Sequence, residues 1–397
     1  MISDKVSVNA YIIKDTKTYI YAEEAKFKLS QNNDVHLLFI VIPKINNNRL
    51  RERIEEVINY EEWNEVIWIF TRSNKTLDNL KYKKRKNKIF KIYIDSIEYI
   101  FNLLDRIKID QIAKKYSPCN LVISTHKNTH EHLAAMLKPD KLVLVDSGHR
   151  VFSRINKNGF IDYSFKINKK RIKSILHRFT GLKVFDRKKT DLFTVYSEKI
   201  ETNHGIIKNN FEHQRHMLQS KKTGDDVIWI STPIYTMVRG VSIDKYIEYI
   251  NASLKQLKIN SEDLIYVPHP GKQTENEIEK IKNSLSCRID DRDLPIEIKI
   301  AQYKRIPKAC ISPFSSALIN INKASNGRIL LISAWHPEFS YFRFWSSWRS
   351  DVEKDSDLSI RFVAIDNSPP LFNIYNGNEN IPIYDNFQDW EKNNFKL

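Results

Sequence analysis

Short apolar runs alternate along this chain with stretches of helical, amphipathic spacing, the pattern of strands and helices layered on a mostly parallel sheet. In the first half, residues 35–43, 65–70, 88–94, 120–124 and 141–145 predict strands. Between them, residues 49–60 and 95–116 carry helical spacing. Residues 150–222 are basic and less regular, and the polar, turn-prone stretch 220–225 (Ser-Lys-Lys-Thr-Gly-Asp) closes that region. The alternation restarts with a strand at 226–230, a helix at 244–257, a strand at 264–267 and a helix at 274–285. A strand within 305–312 then runs into a helix opening at Ser315, and 328–332 predicts a further strand. No internal repeat is evident. The expected fold class is α/β, two Rossmann-like domains facing across a cleft, with the boundary near 205–225 and the chain divided as 1–215 and 216–397.

Composition narrows the partners. With 397 residues and 41% hydrophobic residues, the chain is long and apolar enough for two domains, each with its own core. Lys and Arg outnumber Asp and Glu by 64 to 48, a net charge of +16 that favours an anionic partner: nucleic acid, an acidic membrane face, or an anionic small molecule or polymer. Much of the excess sits in the runs 81–88 and 166–173, which read equally as solvated faces or as contacts for a polyanion or lipid headgroups. The three cysteines have no paired spacing, so neither a disulfide framework nor a zinc site is indicated. Residues 1–5 lack the apolar core of a signal peptide, and the longest apolar run, 35–42, is too short to span a bilayer. The expected location is cytoplasmic. Only nine glycines occur, and no Gly-rich dinucleotide fingerprint or P-loop is present.

Several junctions carry candidate chemistry. Asp146, with Ser147 and Gly148, follows the apolar run 142–145; a carboxylate there is placed to act as a base, and the same residues also make an ordinary strand-to-turn signal. The loop 124–130 carries two histidines and a lysine and reads either as part of a site or as a polar loop before a capped helix. In the segment 266–271 (Tyr-Val-Pro-His-Pro-Gly), Pro268 and Pro270 stiffen the backbone around His269. A ring held there can meet a phosphate or protonate a leaving group, or it can simply pack. Glu297, two residues after Pro295, fits a ligand for hydroxyls or a helix-start carboxylate. Ser315 and Ser316 fit an N-cap or an anion site formed with helix-start amides. Asp291 and Asp293 have the look of a metal-binding Asp-x-Asp but lie in a charged stretch that reads as solvated loop. The aromatic segment 341–348 reads as core.

Taken in order, these residues resemble the bacterial sialyltransferases: the lipooligosaccharide sialyltransferases of glycosyltransferase family 52 and the capsular polysialyltransferases. Their acidic-acidic-Gly, His-Pro, Pro-x-Glu and Ser-Ser or Ser-Thr motifs are matched by Asp146-Ser147-Gly148, His269-Pro270, Pro295-Ile296-Glu297 and Ser315-Ser316, and the intervals among the last three are similar. Ser147 departs from the pattern, standing where a second acid is usual. The strand and polar turn at 226–235 fit the same layout and add Thr232 and Tyr235, with Pro270, to the donor-binding candidates. The likeness covers residues of about 120 to 320 and leaves 1–34 and the C-terminal tail unmatched.

The resemblance implies a GT-B fold and inverting transfer from CMP-sialic acid, with no cofactor and no metal. Asp146 is implied as the base and His269 as the group assisting CMP departure. Ser315 and Ser316 are implied at the phosphate and Glu297 at the ribose hydroxyls. The acceptor stays open between a galactose-terminated lipooligosaccharide and an anionic polysialic chain, and peripheral contact with the anionic inner face of a bacterial inner membrane is compatible with the charge. Another CMP-activated acid such as Kdo is the nearest alternative donor. A basic nucleic-acid-binding protein is the alternative of a different class, but no reader motif is present and no nucleic acid is expected.

Overall fold

The computed structural model describes residues 7–43, 48–71, 100, 103–123, 128–145, 190–195, 197, 202–237, 241–269 and 272–372. The expected strand at 88–94, the loop at 124–127, the two lysine-rich runs, Asp146 and Pro270 lie outside them. The chain forms two compact units, Met1–His213 and Gln214–Leu397.

Each unit is built on a parallel sheet. In the first, the strands are β1 (Val8–Ile13), β2 (Val35–Pro43), β3 (Glu65–Thr71), β4 (Asn120–Ile123), β5 (Lys141–Val145), β6 (Thr190–Thr194) and β7 (Gly205–Lys208), in the spatial order β3-β2-β1-β4-β5-β6-β7. All neighbours pair in parallel. The second sheet holds β8 (Val227–Ile230), β9 (Leu264–Val267), β10 (Arg288–Ile289), β11 (Ala309–Ser312), β12 (Leu330–Trp335) and β13 (Ile360–Ala364), in the order β10-β9-β8-β11-β12-β13, again parallel throughout. Relabelled from its own first strand, the second sheet runs 3-2-1-4-5-6, the doubly wound Rossmann order, and the first runs the same with a seventh strand added at the end. The order reverses between β1 and β4 and between β8 and β11, and the carboxyl ends of strands at such a reversal are where ligands bind. The chain is thus α/β with two Rossmann-like units.

The apolar runs became strands because parallel strands are covered on both faces and need apolar residues at consecutive positions. In β2 every residue from His36 to Ile42 is buried, and β8, β9 and β11 are buried along their whole length. The elements that sequence patterning missed depart from that rule. β1, an interior strand between β2 and β4, contains a buried Asn9, whose Nδ2 donates to Asp34 at 2.8 Å and whose Oδ1 accepts from Asn120 at 2.6 Å. The helix Thr16–Leu29 is buried at consecutive positions from Thr18 to Ala22, so it shows no amphipathic stripe. It starts on a capping box, with Asp15 Oδ1 accepting the Thr18 N–H at 2.8 Å and Thr18 Oγ1 accepting the Asp15 N–H at 3.0 Å. Within the region read as less regular lie β6, β7 and the helix Glu212–Gln219; β7 is exposed or half-buried throughout and offers no apolar run.

The aromatic segment near 345 is core, as expected. Trp345 is fully buried, with its ring 4.4 Å from that of Phe339 and 4.5 Å from that of Phe314. Among the described residues no helix is long and apolar enough to cross a membrane.

Candidate functional site

In the second unit, the candidates that sequence reading scattered over eighty residues fall on one edge of one sheet. Parallel pairing puts the carboxyl ends of β10, β9, β8 and β11 on the same side. Thr232 and Tyr235 follow β8, His269 follows β9, Glu297 follows β10, and Ser315 and Ser316 follow β11. They flank the reversal between β8 and β11, the crevice where a doubly wound sheet takes its ligand.

Thr232 bridges that reversal. Its Oγ1 donates to the Phe314 carbonyl at 3.0 Å and lies 3.2 Å from Ser312 Oγ. A hydroxyl has one proton to give, so Ser312 is the donor to Thr232. Ser312 is fully buried and Thr232 nearly so. The loop after β11 is fixed from its other side by Ser333 Oγ, which donates to the Pro313 carbonyl at 2.7 Å, and by the seating of Phe314 against Trp345. It delivers Ser315 as the N-cap of the ten-residue helix Ser316–Ser325, with Ser315 Oγ accepting the Ala317 N–H at 3.2 Å. Both serines remain half-exposed, beside the amides of the helix start.

His269 is exposed, but its backbone is held. Its N–H donates to Gln273 Oε1 at 2.9 Å, while Gln273 Nε2 donates to the hydroxyls of Tyr235 and Tyr266, each at 2.9 Å. That orientation of the amide is required, because a backbone N–H can only donate and must face the oxygen. Tyr266 in turn donates to Ser231 Oγ at 2.7 Å. Burial pushes the Tyr266 hydroxyl well above the usual phenol range, so it stays a proton donor. One glutamine thus joins the segment after β8 to the segment after β9. Sequence reading missed it; the available signal was its position four residues past His269 and one before Thr274, the N-cap of the helix Glu275–Leu285.

Glu297 is a first-turn residue of the helix Ile296–Gln302, as one reading of the sequence had it, and it is also buried. Its Oε1 accepts from Asn320 Nδ2 at 2.7 Å, tying this helix to the one that Ser315 caps. The helix is anchored two residues on by Lys299, which is 1% exposed and donates to the Asp290 carbonyl at 2.7 Å. Asp290 is the acid of this region that carries structure. Burial pushes its carboxyl up, but hydrogen bonds from Arg292 and Tyr303, at 2.7 and 2.6 Å, and the charge of Lys299 outweigh that and hold it at about 2. Asp291, singled out from the sequence, is exposed.

In the first unit β5 ends at Val145, and Asp146, next in the chain, lies outside the described residues, as does Pro270.

The family model for alpha-2,8-polysialyltransferase (POLYST) matches residues 11–331, a span that takes in every candidate named above. A search of curated proteins finds no match. Similar solved structures include the UDP-GlcNAc 2-epimerase of Methanocaldococcus jannaschii, at 11% identity and a TM-score of 0.47 over 97% of this chain and 98% of that one. UGT89C1 of Arabidopsis thaliana, complexed with UDP-L-rhamnose, is similar at 10% identity and a TM-score of 0.48 over 93% and 88%. A glycosyltransferase from Rickettsia africae is similar at 13% identity and a TM-score of 0.44 over 92% and 86%.

Proposed function

The chain belongs to the alpha-2,8-polysialyltransferase family, and from that premise we propose that it transfers sialic acid from CMP-sialic acid to an anionic, sialic acid-ended glycan chain, with inversion and without a metal ion. The observation that carries this reading is the gathering of Thr232, Tyr235, His269, Glu297, Ser315 and Ser316 on the carboxyl edge of the second sheet, around its strand-order reversal. The second unit, with a boundary near 215, then binds the donor, and the first supplies the acceptor side and the base.

CMP offers three handles. Its phosphate suits the Ser315 and Ser316 hydroxyls and the amides of the helix Ser316–Ser325, where the helix dipole favours negative charge. Its ribose hydroxyls suit Glu297, whose Oε1 is engaged by Asn320 and whose second oxygen takes the donor. Thr232 and Tyr235 shape the edge between these handles, Thr232 by holding the Phe314 carbonyl and Tyr235 through Gln273, and Pro270 is assigned to the donor side with them. In the transfer, an acceptor hydroxyl oxygen bonds to the anomeric carbon and gives its proton to Asp146. The bond from that carbon to the phosphate oxygen breaks, and its electron pair leaves with CMP. His269 donates to the departing phosphate as charge develops on it. Phosphate charge met by an imidazole, hydroxyls and helix-start amides leaves no step that requires a cation. The net charge of +16 suits an acidic polymer as acceptor better than a neutral galactose terminus.

Two variants test the assignment. His269→Ala should stay folded, weaken CMP binding and lower turnover by roughly 10²-fold or more. Asp146→Asn should keep its CMP affinity by calorimetry and lose transfer, because an amide cannot take the acceptor's proton. Wild-type turnover in the His269 variant would remove the leaving-group role, and an equal loss of CMP affinity in the Asp146 variant would move that residue to the donor side.

A further inference from the structure

The first unit carries a cavity on the flank of the helix Thr16–Leu29, and none of the residues given a role in transfer lines it. Its volume is about 220 Å³, and Glu23, Lys26, Ser30, His36, Glu62 and His213 are among its lining. Three of these come from distant parts of the chain: Glu23 from the helix, Glu62 from the 3-10 turn Tyr60–Glu62 ahead of β3, and His213 from the start of the helix Glu212–Gln219. Each offers one ligand atom, and the three atoms lie within 4.8 Å of one another.

Other bonds hold these residues together. The Tyr19 hydroxyl, one helical turn before Glu23, accepts the Asn59 N–H at 3.2 Å and Trp63 Nε1 at 3.5 Å, docking the helix on the turn that carries Glu62. The His213 N–H donates to Glu24 Oε2 at 3.0 Å, and Lys28 pairs with Glu212 at 2.7 Å. The three-residue arrangement is therefore maintained by neighbours that are not themselves part of it.

Two carboxylates and an imidazole make a donor set for a borderline divalent cation of the zinc class. Bonds of about 2.1 Å to a tetrahedral centre put ligand atoms roughly 3.4 Å apart, so the observed spacing closes by side-chain adjustment. A second observation points the same way. His36 lines the cavity at 9% exposure, and its buried Nδ1 has no hydrogen-bond partner. An unsatisfied buried imidazole nitrogen costs free energy that a metal ion, or water bound to one, would offset. The present counter-charge is Lys26, whose Nζ donates to Glu62 Oε2 at 3.0 Å while lying 5.0 Å from the centre of the Trp63 ring. A dication would take its place at Glu62, leaving the ammonium over the indole.

We propose that Glu23, Glu62 and His213 form a site for a zinc-class divalent cation, with His36 as the adjoining imidazole. The ion would clamp the helix Thr16–Leu29, the turn before β3 and the start of the helix Glu212–Gln219 to one another. None of its proposed ligands is a residue assigned to sugar transfer.

The test is calorimetric titration of the full chain with zinc chloride, after purification in chelator and exchange into chelator-free buffer. One saturable equivalent is expected, with a rise in thermal midpoint. Glu62→Gln, close to isosteric, and His213→Ala should each weaken it at least tenfold, while Lys26→Met should bind zinc as tightly as the wild type or more so, having lost the competing ammonium. CMP affinity should be unchanged in all three, so the outcome is independent of the donor-site assignment. No saturable binding, or Glu62→Gln binding zinc like the wild type, would overturn the proposal even if the histidine variant failed to fold.

Discussion

At His269 the side chain is exposed while the backbone N–H is spoken for by Gln273, whose remaining amide protons go to Tyr235 and Tyr266. A loop histidine has little buried surface of its own to fix it, and Gln273 holds the backbone that aims it. Replacing Gln273 with alanine should lower kcat more than it weakens CMP binding, since the handles for phosphate and ribose lie on other segments. Gln273→Glu keeps an acceptor for the His269 N–H and should recover part of the rate. Steady-state kinetics beside CMP calorimetry separates the two effects; an equal loss in both variants of CMP affinity alone would make Gln273 part of the donor pocket.

The helix Ser316–Ser325 serves stability at its cap and, on the proposed reading, phosphate at the same atoms. The two roles separate by substitution. Ser315→Ala should cost about 1 kcal/mol through the lost cap, whereas Ser315→Gly should cost only about a few tenths, because glycine caps nearly as well. If the hydroxyl also binds phosphate, both variants lose CMP affinity alike, whatever their thermal midpoints. CMP affinity that tracks stability instead would reduce Ser315 to a cap. The element is well supported elsewhere: Asn320 ties it to Glu297, and Phe314, just before it, packs on the fully buried Trp345.

For the whole molecule, net charge is the property that bears on the acceptor. A chain at +16 attracts a long polyanion through many charges at once, and salt weakens that attraction between exposed groups beyond about 8 Å at physiological ionic strength. Raising salt should therefore raise KM for long polysialic acceptors several-fold while changing KM for a short, two- or three-sugar acceptor little. Initial rates at several ionic strengths check this. Equal salt response for both lengths would confine recognition to the site itself. The same excess charge misleads when read alone, because it suits a nucleic-acid binder equally well; the family match over residues 11–331 and the edge of the second sheet point to sugar transfer.

Several features were determined by the sequence alone, each for a local reason. Strands buried on both faces have to be runs such as those of β2, β5, β8, β9 and β11, so the α/β class was legible. Prolines around His269 and serines opening a helix mark their junctions through backbone restriction and capping, which act within a few residues. What only the tertiary structure decided depends on partners far along the chain. β1 lies inside its sheet, between β2 and β4, although Asn9 interrupts its apolar run, because Asp34 and Asn120 satisfy that amide. Gln273 matters through Tyr235, and Thr232 through Ser312 and Phe314, eighty or so residues away. No local propensity encodes these bonds. Strand order and register bring the groups within hydrogen-bonding distance, and those are set by how the apolar faces of the whole unit pack.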